Sequence, residues 1–382
     1  GPILFRAFHR GTPPNHLTKA PVDAETKRVL SDGAAQPFGK VKLFGYPETV
    51  KDPNELLQAG EAGRIAEAVF KARSYRPDGI IDGKDLLDDV LTEPSKGYSI
   101  PYKQLEQIFM GMRKGELYMF TAGSGIGKST LVHEIGYHFL MEHQQTLGIL
   151  ALEENKRHTA KRYVGIHLNK PLTVSRAGLT NEQIQAGFDE TVGSGRFFLY
   201  DHWGSTALDN LMSKLHYMAK GLGVDWIILD HISIVVSGLD EVQESERKLI
   251  DKLMTRLRTL VENAGVGVMA IVHLNRPNDQ NSKSYNEGRQ VSLRGLRGSA
   301  ALEQLSDGVV ALERDQQGEN PNESYIRVLK NRPIGQTGTA DTLIYTPDTG
   351  RLLPEGAAGA TGYGFSTTTA ENEEEEKENP DF

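Results

Sequence analysis

Residues 117–130 read LYMFTAGSGIGKST. An apolar run, Leu117 to Phe120, meets a turn of small residues (Gly123, Ser124, Gly125, Gly127), and Lys128, Ser129 and Thr130 then open a helical stretch. That order builds an anion cradle. The small residues let the backbone curl until successive amides point inward, and the helix adds the positive end of its dipole. Lys128 offers a point charge to the outer phosphates of a nucleotide, and Ser129 can place its hydroxyl on Mg2+. Ala122 stands where the strict G-x-x-x-x-G-K-[ST] pattern has its first glycine, a difference of one methyl group. The stretch reads as a site for a nucleoside triphosphate, ATP or dTTP, with Mg2+.

Outward from this loop, apolar runs alternate with helical patterns from about Tyr98 to Leu353, the signature of a mainly parallel α/β sheet. Strands are expected near residues 117–121, 146–152, 197–200, 226–229, 266–272, 309–312, 325–329 and 342–345. Four sections follow. Residues 1–75 are rich in Pro and Gly, carry one strand-like run at 40–44, and look incomplete as a domain. Residues 76–97 read as a linker in which RPDG makes a turn and Asp82 caps a short helix over GKDLLDDVL. Residues 98–355 hold the nucleotide-binding core, and residues 356–382, rich in Gly, Ala, Thr and Glu, are expected to stay disordered.

The bulk composition, 38% hydrophobic and 25% charged over 382 residues, suits a soluble globular chain. The absence of Cys excludes a disulfide framework and a cysteine-based zinc ribbon. No apolar run approaches a membrane span. Gly1 and Pro2 without an initiating Met read as a processing scar or an internal start. The net charge of −8 argues against a nucleic-acid partner until it is mapped: seven acids and one Lys in ENEEEEKENPDF, residues 371–382, supply six of those charges. Local basic patches therefore decide the question.

Chemistry at a phosphate loop needs a base and a metal ligand. LALEEN puts Glu153 at the carboxyl end of a strand, where such sheets gather their reactive groups, and makes it the candidate general base; the alternative is that Glu153 and Glu154 are simply a solvated pair of strand-end glutamates. DWIILDH places Asp230 after four apolar residues, the Walker B pattern that orients Mg2+. VGVMAIVHLN ends a third strand at His273, which could donate to a γ-phosphate, and Gln304 in GSAALEQLSD could report on the same phosphate through its amide. Between them, the polar stretch LNRPNDQNSKSYNEGRQVSLRGLRG carries Arg276, Lys283, Arg289 and Arg294, suited to the backbone of single-stranded DNA. In YIRVLKNRPIGQTG, Lys330 and Arg332 end a strand, and Arg332 could serve its own subunit or reach a neighbour's γ-phosphate. Arg314 and Tyr345 are candidates for packing on the nucleotide base and sugar.

Taken in order, AGSGIGKST, LALEEN, WIILDHISIVV, VHLNRP, LRGSAALEQLSD, ALERDQQG and LKNRPIGQTG resemble the helicase half of the bacteriophage primase-helicases, relatives of bacterial DnaB and mitochondrial Twinkle. RecA-like recombinases share only the first and third of these clearly. The resemblance covers about residues 40–353. It implies a RecA-like core with a mainly parallel central sheet flanked by helices, assembled as a homo-oligomeric ring of six or possibly seven subunits. It further implies a replicative helicase that hydrolyses nucleotide at subunit interfaces and moves 5′ to 3′ on single-stranded DNA. On matching positions, Lys128 and Ser129 bind phosphate and Mg2+, Glu153 is the base, Asp230 the Walker B acid, His273 and Gln304 the phosphate sensors, and Arg332 a finger acting in trans. Arg314 and Tyr345 match the residues on the base. The segment after His273 departs most from the family, keeping Arg276 and Lys283 where lysines are usual. GKVKLFGYPETVKDPNELL resembles the end of a Toprim primase module, without its metal-binding glutamate motif, so no priming is expected. The helix after RPDG resembles one that docks on the adjacent subunit, and the acidic tail ending in Phe382 resembles tails that contact the replicative polymerase. The implied location is the cytoplasm of a phage-infected bacterium, or an organelle with a similar replisome.

Overall fold

The computed structural model describes residues 42–43, 58–60, 63, 73–74, 81–201, 208–237, 245–275, 283–298 and 300–357. The chain divides into two compact units, residues 1–94 and 95–382. In the first, Lys42–Leu43 pairs antiparallel with Arg73–Ser74. A 3-10 turn, Gly83–Leu86, leads into a helix at Leu87–Leu91, and the Asp82 carboxylate accepts from the Lys84 amide at 3.2 Å. The cap read from the sequence is thus present. Ile81, Leu87, Val90 and Leu91 are all exposed large apolar side chains. The rest of the segment compared with a Toprim module, and the acidic tail, lie outside the described residues.

The second unit is built on a nine-stranded sheet. Its strands are β1 (Leu117–Ala122), β2 (Leu147–Ala151), β3 (Phe197–Leu199), β4 (Trp226–Asp230), β5 (Gly267–Val272), β6 (Gly308–Glu313), β7 (Glu323–Asn331), β8 (Gly338–Thr346) and β9 (Arg351–Pro354). They lie in the order β9-β8-β7-β6-β1-β5-β4-β2-β3. The strands from β6 to β3 are parallel, whereas β7, β8 and β9 form an antiparallel meander at the other edge. All eight expected strands form. The ninth, β9, has no counterpart in the sequence pattern: RLLP is short, and it is anchored by a charge, since Arg351 makes a buried two-pronged pair with Glu134 at 3.0 and 2.7 Å.

The alternation of side chains along each strand divides the core into two layers. Tyr118, Phe120, Ile149, Ile228, Met269, Ile271 and Val310 share one cluster with Leu131, Ile135 and Phe139 of helix α1 (Lys128–Met141). Leu117, Met119, Leu150, Ile227, Leu229, Val268 and Ala270 share the other with Leu249, Leu253, Leu257 and Val261, a stripe at helical spacing on Glu246–Ala264. The parallel strands are apolar throughout because helices cover both faces.

Candidate active site

The phosphate loop leaves the carboxyl end of β1 at the middle of the sheet. Gly125 and Gly127 have φ of +73° and +117°, where any Cβ is strained, so glycine is required at both. Gly123 is required by space: a Cβ there would stand 2.5 Å from Asn286 Oδ1 and 2.7 Å from Ile126 Cδ1. Ala122, in contrast, closes β1, is buried and pairs with Leu312. Extended backbone accepts a methyl, so this departure from the strict motif leaves the loop intact. Lys128 begins α1 and is buried.

β4 ends on Asp230, which is 1% exposed. Burial raises its carboxyl to about 6, against the opposing pull of a hydrogen bond with the Ser129 side chain. Its Oδ1 is buried with no hydrogen-bond partner among the described residues. A hydroxyl beside a carboxylate with an unused oxygen is a hard-oxygen donor set that suits Mg2+.

The two glutamates after β2 face different surroundings. Glu154 accepts from Arg162 and lies 3.0 Å from His158 Nδ1, both on α2 (Lys156–Leu168). Glu153 turns to the sheet: its Oε1 is 2.6 Å from His231 Nε2 and 3.8 Å from His273 Nε2. The two imidazoles stack edge to face with centroids 3.8 Å apart. Burial lowers both histidines, His273 to about 4 with further push from His231 and Lys128. A neutral His231 donates from Nε2, because an ionised carboxylate only accepts. The ligand atoms of Glu153, His231 and His273 lie within 4.8 Å of one another; that nitrogen-rich set suits a transition ion rather than Mg2+.

Arg314 and Tyr345 come together, the guanidinium 5.8 Å from the ring centroid. Arg314 is steadied there by Asn322 Oδ1 at 3.1 Å. Since Leu312 pairs with Ala122, both stand at the phosphate-loop edge.

Lys330 and Arg332 do not. Asn331 pairs with Gly308, and Gly308 with Tyr118 at the start of β1, so this pair occupies the amino-terminal edge, a strand length of ~20 Å from the phosphate loop. Lys330 Nζ donates to the carbonyls of Glu303 and Ser306, the latter at 2.7 Å. Arg332 pairs with Asp307 at 3.4 Å and donates to the Gln304 carbonyl. The backbone carbonyl of Gln304 therefore lies beside Arg332.

Of the basic candidates, Lys283 and Arg294 are exposed, while Arg289 lies over the Tyr285 ring at 5.6 Å. Arg276 lies outside the described residues. Sequence reading missed His231, although the strand-end rule that selected Asp230 reaches the next residue. It also missed Asn286 and Gln316, for which no local pattern exists.

Among known families, residues 97–352 match the DnaB-like helicase C terminal domain. The chain belongs to this DnaB-like helicase family. It is 38% identical over 359 residues to a protein named DNA helicase/primase of Enterobacteria phage T3, covering 92% of this chain and 62% of that one. It is 24% identical over 243 residues to the replicative DNA helicase DnaB of Leifsonia xyli subsp. xyli, covering 62% of this chain and 51% of that one. The chain thus spans less than two thirds of the length of either relative. Among solved structures, a DnaB-like replicative helicase solved for its interactions with primase superposes with a TM-score of 0.56 at 18% identity, covering 80% of this chain and 72% of that one. A second solved chain, an ATPase domain, also gives 0.56, at 17% identity, covering 79% and 99%. The DnaB-like domain therefore has the RecA-like fold expected of it. No helix among the described residues is long and apolar enough to cross a membrane.

Proposed function

We propose that this DnaB-like chain is a ring-forming, NTP-driven replicative helicase that translocates 5′ to 3′ on single-stranded DNA. Each nucleotide is held between two subunits, in a hexameric or heptameric ring. The observation that carries this reading is the division of the site. Lys128, Ser129, Asp230 and Glu153 share one edge of the sheet, while Arg332, which no residue of its own phosphate loop can reach, is presented at the opposite edge with its side chain 48% exposed. A neighbouring subunit is the partner that brings these edges together. The exposed apolar side chains of Leu87, Val90 and Leu91 support a second contact between subunits.

In this site the loop amides and Lys128 bind the β- and γ-phosphates. Ser129 and Asp230 hold Mg2+, which neutralises charge on the phosphates when bound. Glu153, oriented by the hydrogen bond from His231, takes the proton of the attacking water. His273, 3.8 Å from Glu153, is placed to follow the γ-phosphate, and Arg332 of the adjacent subunit stabilises the charge that develops on it. Arg314 and Tyr345 pack on the base, and Lys283, Arg289 and Arg294, with Arg276, contact the DNA backbone. The acidic tail contacts the replicative polymerase, and the site of action is the cytoplasm of the infected host.

The test compares nucleotide hydrolysis and strand unwinding by the wild type and Lys128→Ala. Loss of both by at least roughly 10²-fold, with ring formation retained, is expected. Equal unwinding by the two proteins overturns the reading.

A further inference from the structure

The phosphate loop is held from outside by two amide side chains to which neither the motifs nor the family match assigns a role. Asn286 Nδ2 donates to the carbonyl of Ser124 at 2.8 Å, and Gln316 Nε2 to the carbonyl of Gly125 at 3.3 Å. The two are joined to each other: Asn286 Nδ2 donates to Gln316 Oε1 at 3.2 Å, and the Gln316 backbone N–H donates to the Asn286 backbone carbonyl at 2.9 Å. The segments that carry them are pinned together as well. The backbones at Glu287 and Asp315 form an isolated antiparallel β-bridge, and the Glu313 carboxylate accepts from both the Val291 amide at 2.7 Å and Arg327 at 2.9 Å. Asn286 seats so closely on the loop that Gly123 has no room for a methyl.

A trans peptide fixes what this strap does. Its C=O and the following N–H point in opposite directions in one plane. Holding the Ser124 carbonyl outward turns the Gly125 amide inward, the direction of a donor in an anion nest, while the Ile126 amide is tied within the loop to the Gly123 carbonyl at 3.4 Å. Asn286 also lies between Lys283 and Arg289, two of the residues proposed for DNA, and Gln316 two residues beyond Arg314.

We propose that Asn286 and Gln316 are positioning residues that hold the phosphate loop in its triphosphate-binding shape and couple that shape to single-stranded DNA on the segment carrying Lys283 and Arg289. The coupling, though not the holding, rests on the helicase reading. A ligand on either side that tightens the strap strengthens the other, because coupling between two sites is reciprocal.

The experiment measures affinity for a fluorescent, non-hydrolysable triphosphate analogue with and without a thymidine homo-oligonucleotide. It uses the wild-type ring, Asn286→Asp and Gln316→Glu. Each variant keeps the shape of its side chain and replaces the donor by an acceptor facing a carbonyl. Both are expected to bind the analogue roughly fivefold or more weakly, the equivalent of one lost hydrogen bond, and to bring the DNA-dependent ratio of affinities close to one. The double variant is expected to lose less than the product of the single losses, because the residues share a bond. Melting temperature and ring formation are followed in parallel, with Asn286→Ala and Gln316→Ala as second variants if either charge prevents folding. A strap that only supports the fold lowers the melting temperature and leaves the ratio at its wild-type value, and that result overturns the coupling. Unchanged affinity in both variants overturns the holding. If DNA fails to strengthen nucleotide binding even in the wild type, the helicase reading fails, while the affinity loss in the variants still tests the holding.

Discussion

At the carboxyl edge of the parallel strands, charged groups are left with unused bonding capacity: Asp230 Oδ1 is buried and unpartnered among the described residues, and Glu153 keeps a 39% exposed side chain beside two neutral imidazoles. At the amino edge the charges are tied down. Asp307 accepts from the Leu117 amide at 2.8 Å and pairs with Arg258 and Arg332, and Lys330 is bound to two carbonyls. The contrast separates a surface with bonding capacity to spare from one whose charges are already paired, with Arg332 keeping a 48% exposed side chain. Unused bonding capacity on a buried charge is costly. On the proposed function, that capacity is filled when the opposite edges of two copies meet across a triphosphate.

The largest expected effect breaks the amino edge alone. Arg332→Ala should lower DNA-stimulated hydrolysis by roughly 10³-fold, as removal of an arginine finger does. Mixing it with Lys128→Ala subunits should restore some activity, since some interfaces then carry both intact halves. Hydrolysis by Arg332→Ala at the wild-type rate would mean that the two edges do not meet.

The next sharpens the carboxyl edge. Glu153→Gln should cost roughly 10²–10⁴-fold in turnover, the range of a general base. Glu154→Gln should cost less than about tenfold and instead lower the melting temperature, because it removes the partner of Arg162 and His158. Equal turnover losses in the pair would dissolve the distinction between them.

The smallest concerns the end of α1, which runs back from the phosphate loop to the amino edge. There His138 lies 3.1 Å from Ser99 Oγ, and burial lowers it to about 4. The unfolded chain takes up this proton below about pH 6.5 and the folded chain does not, so stability is full above that value and lost as pH falls toward 4. His138→Gln should reduce the acid-induced loss by about 1–3 kcal/mol, read from denaturant melts between roughly pH 7 and 4.5. An unchanged pH dependence would place the acid sensitivity elsewhere, for example at buried His133.

Much of this arrangement is written in the chain. The strands are legible because each is a run of apolar residues long enough to cross a sheet covered on both faces, and the glycines of residues 123–127 because left-handed or crowded backbone tolerates little else. Asp230 and His273 can be read as strand ends. β9 cannot, since its anchor is Arg351 on Glu134, a contact 217 residues away. The local pattern LEEN can name two glutamates and favour one by position, but what each faces depends on β2 lying beside β4, which brings His231 to within 2.6 Å of Glu153 across 78 residues. The placement of Arg332 requires the antiparallel return of β7, which carries it away from its own phosphate loop. Asn286 and Gln316 have no signature at all. Sequence periodicity records what each segment must bury and how its backbone must bend. Which side chains meet is fixed by strand order and register, and those are settled only when the whole sheet has formed.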